Sequence, residues 1–170
     1  MFVTAALAQE ADLNDEAELL RRLAVAEPAE AINLDRQLQA LWDKSGSPAM
    51  DLLLERGKDA MEVGEFRIAI EHFTALTDHA PDFAEGWFMR ASAYFQADLL
   101  GPAMADLERA LMLNPNNYNA LLGLGAVLEM VDRPKLAYRA YVRAQAIHPH
   151  HEDISTAAER LRLHVEGDAL

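Results

Sequence analysis

The stretch HAPDFAEGW, residues 79–87, is the part of the sequence that decides the fold. Its proline recurs downstream, so that Pro81, Pro115 and Pro149 stand in steps of 34 residues. We call positions related by this step a column. Further columns keep one residue class: Leu53, Trp87 and Leu121; Ala69, Ala103 and Ala137; Phe73, Leu107 and Tyr141; Leu76, Ala110 and Ala144. A strict period over three copies without an insertion indicates tandem structural repeats.

Within each copy the apolar residues predict two helices. In the first copy, apolar or small residues fall at positions 53, 57, 60 and 61 and again at 69, 70, 73 and 76, the spacing of a helix face. The turn between the two helices is predicted at Gly64 in the first copy, at Gly101–Pro102 in the second and at Pro134 in the third. Small residues should let the two helices approach closely: Gly57, Ala91, Gly125, Ala69, Ala103 and Ala137.

This helix–turn–helix pattern, with its aromatic, small, alanine, aromatic and proline positions, resembles the tetratricopeptide repeat. Residues 50–83, 84–117 and 118–151 match as three tandem units. The second unit has Arg90 and Ala91 where the family usually has leucine and glycine. The resemblance implies an all-α fold, a right-handed α–α superhelix of three helix–turn–helix repeats, and we expect a bacterial member of the family.

The segments on either side of the repeats should be helical as well, because the end units of stacked repeats would otherwise expose apolar surface. Residues 152–166 predict a single capping helix. Its apolar positions are spaced at four, three and four residues: Ile154, Ala158, Leu161 and Val165. Residues 14–48 predict a pair of helices separated at Pro28, with the length of a degenerate extra repeat, although Asp35 stands in the alanine column.

Residues 1–13 are interpreted as a tail or as the remnant of a signal peptide. The apolar run FVTAALA is too short to cross a bilayer, which needs about 20 residues. It ends in small residues of the kind that precede a cleavage site, although no basic residues stand before it. If it is an export remnant, the protein belongs in the periplasm of a bacterium; otherwise it belongs in the cytoplasm.

The charge of the chain limits its partners. The 170 residues contain 15 Lys and Arg against 28 Asp and Glu, a net charge of −13. This sign opposes binding to a phosphate backbone or to an anionic membrane surface, so we expect neither nucleic acid as a partner nor membrane insertion. The chain has no cysteine and therefore no disulfide and no thiolate nucleophile.

No arrangement of residues predicts catalysis or a cofactor. His148, His150 and His151 stand beside Glu152 and Asp153, and such side chains can bind a metal such as zinc. They surround a proline turn, however, and lack the one-turn spacing of a helical metal site. We interpret them as solvated turn residues, with adventitious or regulatory metal binding as the alternative. We therefore predict a protein that is not an enzyme and holds no cofactor or metal.

In the tetratricopeptide repeat family the first helix of each repeat lines a concave groove. The resemblance therefore implies a partner-binding groove at Leu54, Lys58, Met61, Glu85, Phe88, Met89, Ser92, Phe95, Leu122, Ala126 and Met130. Its expected rim is acidic: Asp51, Glu55, Glu62, Glu85 and Glu129. Methionine adapts its shape and phenylalanine supplies contact area. The expected partner is a protein or peptide, either an amphipathic helix or an extended apolar segment, with a basic flank.

A more specific function of the family is not expected here. Family members that grip the acidic C-terminal tails of heat-shock chaperones use a clamp of lysine, asparagine and arginine side chains. The matching positions in this chain do not carry the clamp residues: Leu54, Lys58, Met89, Asn119 and Gly123. The acidic balance of the chain also opposes an acidic ligand.

Two functions of different classes stay open. The first is a non-enzymatic adaptor whose groove binds another polypeptide. The second is a self-contained scaffold, or a subunit of a homodimer, in which the N-terminal helices or a second copy of the chain fill the groove. The N-terminal segment has apolar residues for this role: Leu19, Leu20, Leu23, Leu34, Leu38, Leu41 and Trp42.

Overall fold

The computed structural model describes residues 15–167, and this part of the chain consists of α-helices joined by short connections. The interpreted tail or signal remnant at residues 1–13 lies outside the described residues. Helix α1 covers residues 15–23. The other helices are α2 (Pro28–Trp42), α3 (Pro48–Glu62), α4 (Phe66–His79), α5 (Ala84–Gln96), α6 (Leu100–Leu113), α7 (Tyr118–Met130), α8 (Pro134–Ile147) and α9 (Glu152–Gly167). Among the described helices, none has the length and apolar character needed to cross a membrane.

Helices α3 to α8 form three consecutive pairs in a 34-residue register. The second helices of the pairs, α4, α6 and α8, all have 14 residues and start in one column. Each helix from α3 to α8 contacts the next one along the chain, and α5 also contacts both α3 and α7. The pairs therefore stack into an all-α helical repeat superhelix, in which the first helices of the pairs form one layer.

Each joint between repeats is held by hydrogen bonds to the carbonyl oxygen of a proline. The indole Nε1 of Trp87 donates to Pro81 at 3.0 Å. Ser155, in the same column as Trp87, donates from its hydroxyl to Pro149 at 3.3 Å. Arginines in a second column make equivalent contacts: Arg109 with Pro81 at 3.3 Å and Arg143 with Pro115 at 2.7 Å. A carbonyl beyond a helix end has no partner within the helix, so these donors satisfy it.

The turn inside each repeat is also repeated. Gly64, Asp98 and Asp132 share a column and have positive φ angles of 75°, 57° and 57°. The following N–H then bonds to a carbonyl five residues earlier, as in a Schellman turn: Glu65 to Ala60 at 2.8 Å, Leu99 to Tyr94 at 2.9 Å and Arg133 to Leu128 at 2.8 Å. The prediction of the second turn at Gly101–Pro102 is wrong. Both residues lie in the first turn of α6, where the missing N–H of proline needs no partner.

The two helices of a repeat approach closely where a small residue precedes a large one by 16 positions. A Cβ atom added to Gly57 would lie 2.2 Å from Cε1 of Phe73, and one added to Gly125 would lie 2.2 Å from Cε1 of Tyr141. The aromatic rings thus occupy the space that a methyl group would need. The second repeat carries a different combination in these columns, with buried Ala91 and Leu107. The residues at these two positions differ between repeats, but their combined side-chain volume is similar in all three.

The second repeat contains a largely buried ion pair. Arg90 on α5 donates from Nε and Nη2 to the carboxylate of Asp106 on α6 at 2.6 and 2.9 Å. It also donates from Nη1 to Thr77 on α4 at 2.8 Å, and its guanidinium lies 4.8 Å from the ring centre of Trp87. Arg90 therefore connects three helices, which explains how the fold accommodates an arginine where the third repeat has Leu124.

The N-terminal helices pack against the third repeat. One buried cluster combines α1 and α2 with α7 and α9: Leu23, Leu34, Leu38, Trp42, Tyr118, Leu121 and Ile154. The indole Nε1 of Trp42 donates to Glu16 at 2.9 Å, which connects α2 to α1. Helices α1 and α2 precede the first repeat in sequence. They nevertheless cover apolar surface of the third repeat, at the other end of the array.

Helix α9 covers another side of the third repeat. Its residues Ala158 and Leu161 are buried in one cluster with Ala137 and Tyr141 of α8. Because Ser155 occupies the column of the joint donors, α9 keeps the register of a first helix. It therefore acts as the first half of a further unit and covers the end of the array.

We expect Gly57→Ala to lower the free energy of unfolding by about 1–3 kcal/mol, because the new methyl group overlaps the ring of Phe73. Adding Phe73→Leu, which reproduces the alanine and leucine of the second repeat, should recover part of this loss. Gly101→Ala is the control, since a Cβ there meets no atom within 4 Å. Urea unfolding of these variants measures the coupling, and strictly additive effects would contradict the packing explanation.

We expect Asp106→Ala to lower the free energy of unfolding by about 3–5 kcal/mol, because Arg90 is left buried without its counter-charge. The double variant Arg90→Leu, Asp106→Ala places in the second repeat the residues of the third, Leu124 and Ala140. Its unfolding midpoint in urea should return close to that of the wild type. A double variant as unstable as Asp106→Ala would show that the ion pair has no apolar substitute at this position.

Candidate functional site

The expected binding residues lie on α3, α5 and α7, the first helices of the three pairs. We call the side of this layer that faces away from α4, α6 and α8 the inner face. The structure divides the expected residues into three groups. Some are buried in the packing between helices, some lie against the N-terminal segment, and some surround an open cavity.

Leu54 belongs to the core of the first repeat. It is 1% exposed and lies in one buried cluster with Phe73 and Leu76 of α4. Met61 and Met89 are partly buried against the same cluster. The expectation that Leu54 lines a groove is therefore wrong, because its side chain packs between helices and is not accessible to a partner.

Glu85 is also buried, at 4% exposure, and the expectation that it forms part of an acidic rim is wrong. Its carboxylate accepts a hydrogen bond from Nδ2 of Asn117 at 3.5 Å. Burial and, to a smaller extent, the carboxylate of Asp43 raise the pKa of Glu85 to about 7, against the opposing effects of Lys58 and Asn117. The carboxyl group is thus partly protonated near neutral pH.

The N-terminal segment reaches the inner face at two expected groove residues. Lys58 on α3 donates from Nζ to Oδ1 of Asp43, which follows α2, at 2.6 Å. Leu122 on α7 is packed against the cluster that contains Leu34 and Leu38. Lys58 is therefore already paired within the chain, and Leu122 borders the cluster in which the N-terminal helices are buried.

Tyr118, at the start of α7, is the centre of this contact and was not among the expected site residues. Its hydroxyl donates to Asp35 and accepts a hydrogen bond from Nε2 of Gln39 at 3.2 Å. Its ring centre lies 5.3 Å from that of Trp42. Burial and the contact with Asp35 raise the pKa of Tyr118 above its usual value. The sequence offered one signal for this contact, the charged Asp35 beside the apolar stripe of α2. That signal could not show that Tyr118 is the residue that Asp35 contacts.

An open cavity of about 120 Å³ lies between α5 and α7. Three expected residues line it: Ser92, Phe95 and Ala126. The other lining residues are Ala91, Gln96, Leu107, Gly123 and Val127. The Ser92 hydroxyl donates to the carbonyl oxygen of Phe88 at 3.1 Å, so its O–H group already has an acceptor. The cavity therefore offers mainly apolar surface to a ligand.

The helix ends around this cavity favour positive charge. The last turns of α5 and α7 adjoin this cavity, and neither contains a basic residue to offset the partial negative charge of its C-terminal carbonyls. Glu129, one of the expected rim residues, accepts two hydrogen bonds from Arg160 at 2.6 and 2.7 Å. Met130 next to it is exposed. Because Arg160 already brings a positive charge to the end of α7, a cationic group of a ligand would be stabilised mainly at the end of α5.

His148 is not a solvated turn residue, contrary to the interpretation of the sequence. It is 5% exposed, and its ring meets that of Tyr118 edge-on with centres 5.0 Å apart. Burial lowers the pKa of His148, His151 adds to this effect, and Asp35 opposes it. Within residues 15–167 no group of three or more His, Cys, Asp or Glu side chains is arranged to hold a metal ion.

Comparison with known proteins finds relatives that are similar to this chain in sequence. No protein-family model matches the chain. A TPR repeat-containing protein of Rhizobium etli is 27% identical over 139 residues, which covers 79% of this chain and 68% of the relative. A heat shock protein sti1 homolog of Schizosaccharomyces pombe is 27% identical over 114 residues. These cover 67% of this chain, which spans 18% of that longer protein.

Solved TPR structures are similar in fold. The Sgt2 TPR domain from Aspergillus fumigatus has a TM-score of 0.68 at 24% identity, covering 72% of this chain and 83% of that domain. The first TPR of Spaghetti (RPAP3), bound to the HSP90 peptide SRMEEVD, has a TM-score of 0.66 at 23% identity, covering 69% and 93%. The Yersinia enterocolitica type III secretion chaperone SycD, in complex with a peptide of the translocator YopD, has a TM-score of 0.64 at 12% identity, covering 69% and 95%.

The relatives and the solved folds agree with the internal structure of the chain. The joints at the prolines, the turns with positive φ and the second helices all repeat every 34 residues. The chain therefore has the tetratricopeptide repeat fold and is similar in sequence to a TPR repeat-containing protein.

Proposed function

We propose that this protein is a non-enzymatic interaction module that binds an apolar segment of another polypeptide on the inner face. The proposal is carried by the open cavity of about 120 Å³ between α5 and α7, lined by Ser92, Phe95 and Ala126. An apolar cavity of this size has room for one apolar side chain of a ligand. Phe88 packs against the buried cluster that contains three of the lining residues, Ala91, Leu107 and Val127.

The partner segment should carry a basic residue beside its apolar anchor. The chain has a net charge of −13, and the helix ends near the cavity lack basic residues. Charge complementarity of this kind steers association and selects among ligands. An acidic tail fits less well, because Leu54 is buried and Lys58 is already paired with Asp43.

The comparisons support a peptide as the class of ligand. The first TPR of RPAP3 was solved with an HSP90 peptide and SycD with a YopD peptide, so the fold is compatible with peptide binding. At 23% and 12% identity these structures do not transfer their ligands to this chain. The chemistry of its own inner face must decide which peptides bind.

A second candidate function is favoured by the packing of α2. In a self-contained scaffold the N-terminal helices fill part of the groove, and Leu34, Leu38 and Trp42 do pack against Tyr118 on α7. The cavity between α5 and α7 stays open beside them. The two candidates therefore differ in whether a ligand uses that cavity.

We expect peptides with a central leucine flanked by lysines to bind the wild-type protein and to bind Ala126→Leu at least about tenfold more weakly, because the larger side chain fills the cavity. Ala146→Leu, at an exposed position on α8, is the matched control and should bind like the wild type. Fluorescence anisotropy of labelled peptides measures the dissociation constants. Peptides flanked by glutamate should bind more weakly than those flanked by lysine.

Equal binding to Ala126→Leu and to the wild type would contradict a role for the cavity. Failure of every apolar peptide to bind the folded wild type would favour the scaffold instead. Tighter binding of the glutamate-flanked peptides would contradict the inferred charge of the ligand. It would not contradict the proposal that the ligand binds in the cavity.

The burial of Glu85 predicts how stability depends on pH. Its pKa is about 7 in the folded protein against 4.5 as the ordinary value, so the folded state binds the proton more tightly than the unfolded state. The contribution of Glu85 to the free energy of unfolding should therefore fall as the pH rises from about 5 to about 8, by roughly 2–3 kcal/mol. Glu85→Gln should match the wild type at about pH 5 and exceed it at about pH 8. Urea unfolding at both pH values tests this, and parallel profiles for the two proteins would refute it.

A further inference from the structure

We infer that α2 is an exchangeable cover, and that the surface beneath it is a second docking site for a partner's amphipathic helix with the side-chain pattern of α2. This surface consists of Tyr118, Leu121 and Leu122 on α7 and His148 at the joint between α8 and α9. It is separate from the cavity between α5 and α7. The inference therefore goes beyond the proposed function.

Helix α2 is held by a single stripe of side chains. Its buried residues are spaced at three, four and four positions: Ala31, Leu34, Leu38 and Trp42. The opposite side is open to solvent, with Ile32 at 63% exposure. An amphipathic helix that places such a stripe in a groove is a common form of peptide recognition. Helix α2 thus occupies its site in the manner of a ligand helix.

Polar side chains define the position of α2 along this surface. The hydroxyl of Tyr118 donates to Asp35, the residue directly after Leu34. Gln39, one turn further along, donates to the same hydroxyl at 3.2 Å. A competing helix should therefore carry leucines at the spacing of the stripe and an acidic residue directly after the first of them. This pattern distinguishes its partner from the basic peptides expected at the cavity.

The repeats keep their own cores without α2. Three buried clusters of the described chain, around Phe73, Leu107 and Tyr141, contain no residue of α1 or α2. The N-terminal helices contribute instead to the cluster around Tyr118 and Leu121. Opening of α2 would therefore expose one surface and leave the helix pairs packed, as in a local unfolding event.

When α2 is docked, some polar groups near it are buried and do not regain in hydrogen bonds what they lose in hydration. The Nδ1 atoms of His148 and His151 are buried and have no hydrogen-bond partner within the described chain. The carboxyl group of Glu85 is buried near the carboxylate of Asp43. Burial of such groups opposes the apolar gain from docking. A helix held against this opposition is easier to displace than one in a fully apolar site.

The covalent connection determines how strong a competitor must be. Helix α2 is joined to α3 by residues 43–47, so it stays close to its site after opening. A short flexible linker gives an effective concentration in the millimolar range. The wild-type protein should therefore bind a free helix weakly, and weakening α2 should make the site available.

The probe is a labelled peptide with the sequence of residues 28–42, added to the whole 170-residue protein and followed by fluorescence anisotropy. Leu34→Glu places a charge in the buried stripe, and Ile32→Glu places the same charge on the exposed side as the matched control. Asp35→Ala removes the contacts with Tyr118 and His148 without burying a charge. We expect the peptide to bind Leu34→Glu and Asp35→Ala at least about tenfold more tightly than the wild type or Ile32→Glu.

Equal binding to all four folded proteins would overturn the inference. Loss of cooperative unfolding in both Leu34→Glu and Asp35→Ala would overturn it too, because α2 would then be an indispensable part of the core. A wild-type dimer that is absent in Leu34→Glu would assign the surface to a second copy of the chain. The lysine-flanked peptides should bind all four proteins alike, so failure of the proposed function is detected separately.

Discussion

The proline carbonyls at the joints, with the donors that reach them, hold the helix pairs in register. Trp87 and Arg109 both donate to Pro81, and Ser155 repeats the contact of Trp87 at Pro149. Because these hydrogen bonds end on the backbone, they constrain the path of the chain and leave other columns free to vary. The stacking of the first helices, and with it the inner face, depends on this constraint.

Variation within the register produces the cavity. The first and third repeats bring an aromatic ring against a glycine, whereas the second has Leu107 and Ala91 in those columns. Both residues line the open space between α5 and α7, so the cavity lies where the repeat lacks a large ring. In the other two repeats the ring fills the corresponding space, since protein interiors are packed to near-crystalline density. The candidate site is thus a consequence of how one repeat fills its core.

The contact of α2 with the third repeat combines apolar packing with ionisable groups. Leu34 and Leu38 supply the buried area, while Asp35 meets Tyr118 and lies 3.9 Å from His148. The buried carboxyl of Glu85 belongs to the same region through its interaction with Asp43. A core made only of leucine would hold α2 more firmly, because no group would lose its hydration. The composition of this contact is better suited to a segment that docks than to one that anchors the fold.

The sequence by itself determined the helix pairs, their 34-residue register and the resemblance to tetratricopeptide repeats, because these follow from the local spacing of apolar residues, glycines and prolines. Even the turn at Asp98 could have been predicted from the sequence, since Asp98 shares a column with Gly64. Only the tertiary structure decided that Leu54 and Glu85 are buried and that α2 packs on Tyr118. Helical spacing indicates which residues share one face of a helix. Which other segment packs on that face depends on how well side chains from distant parts of the chain fit together.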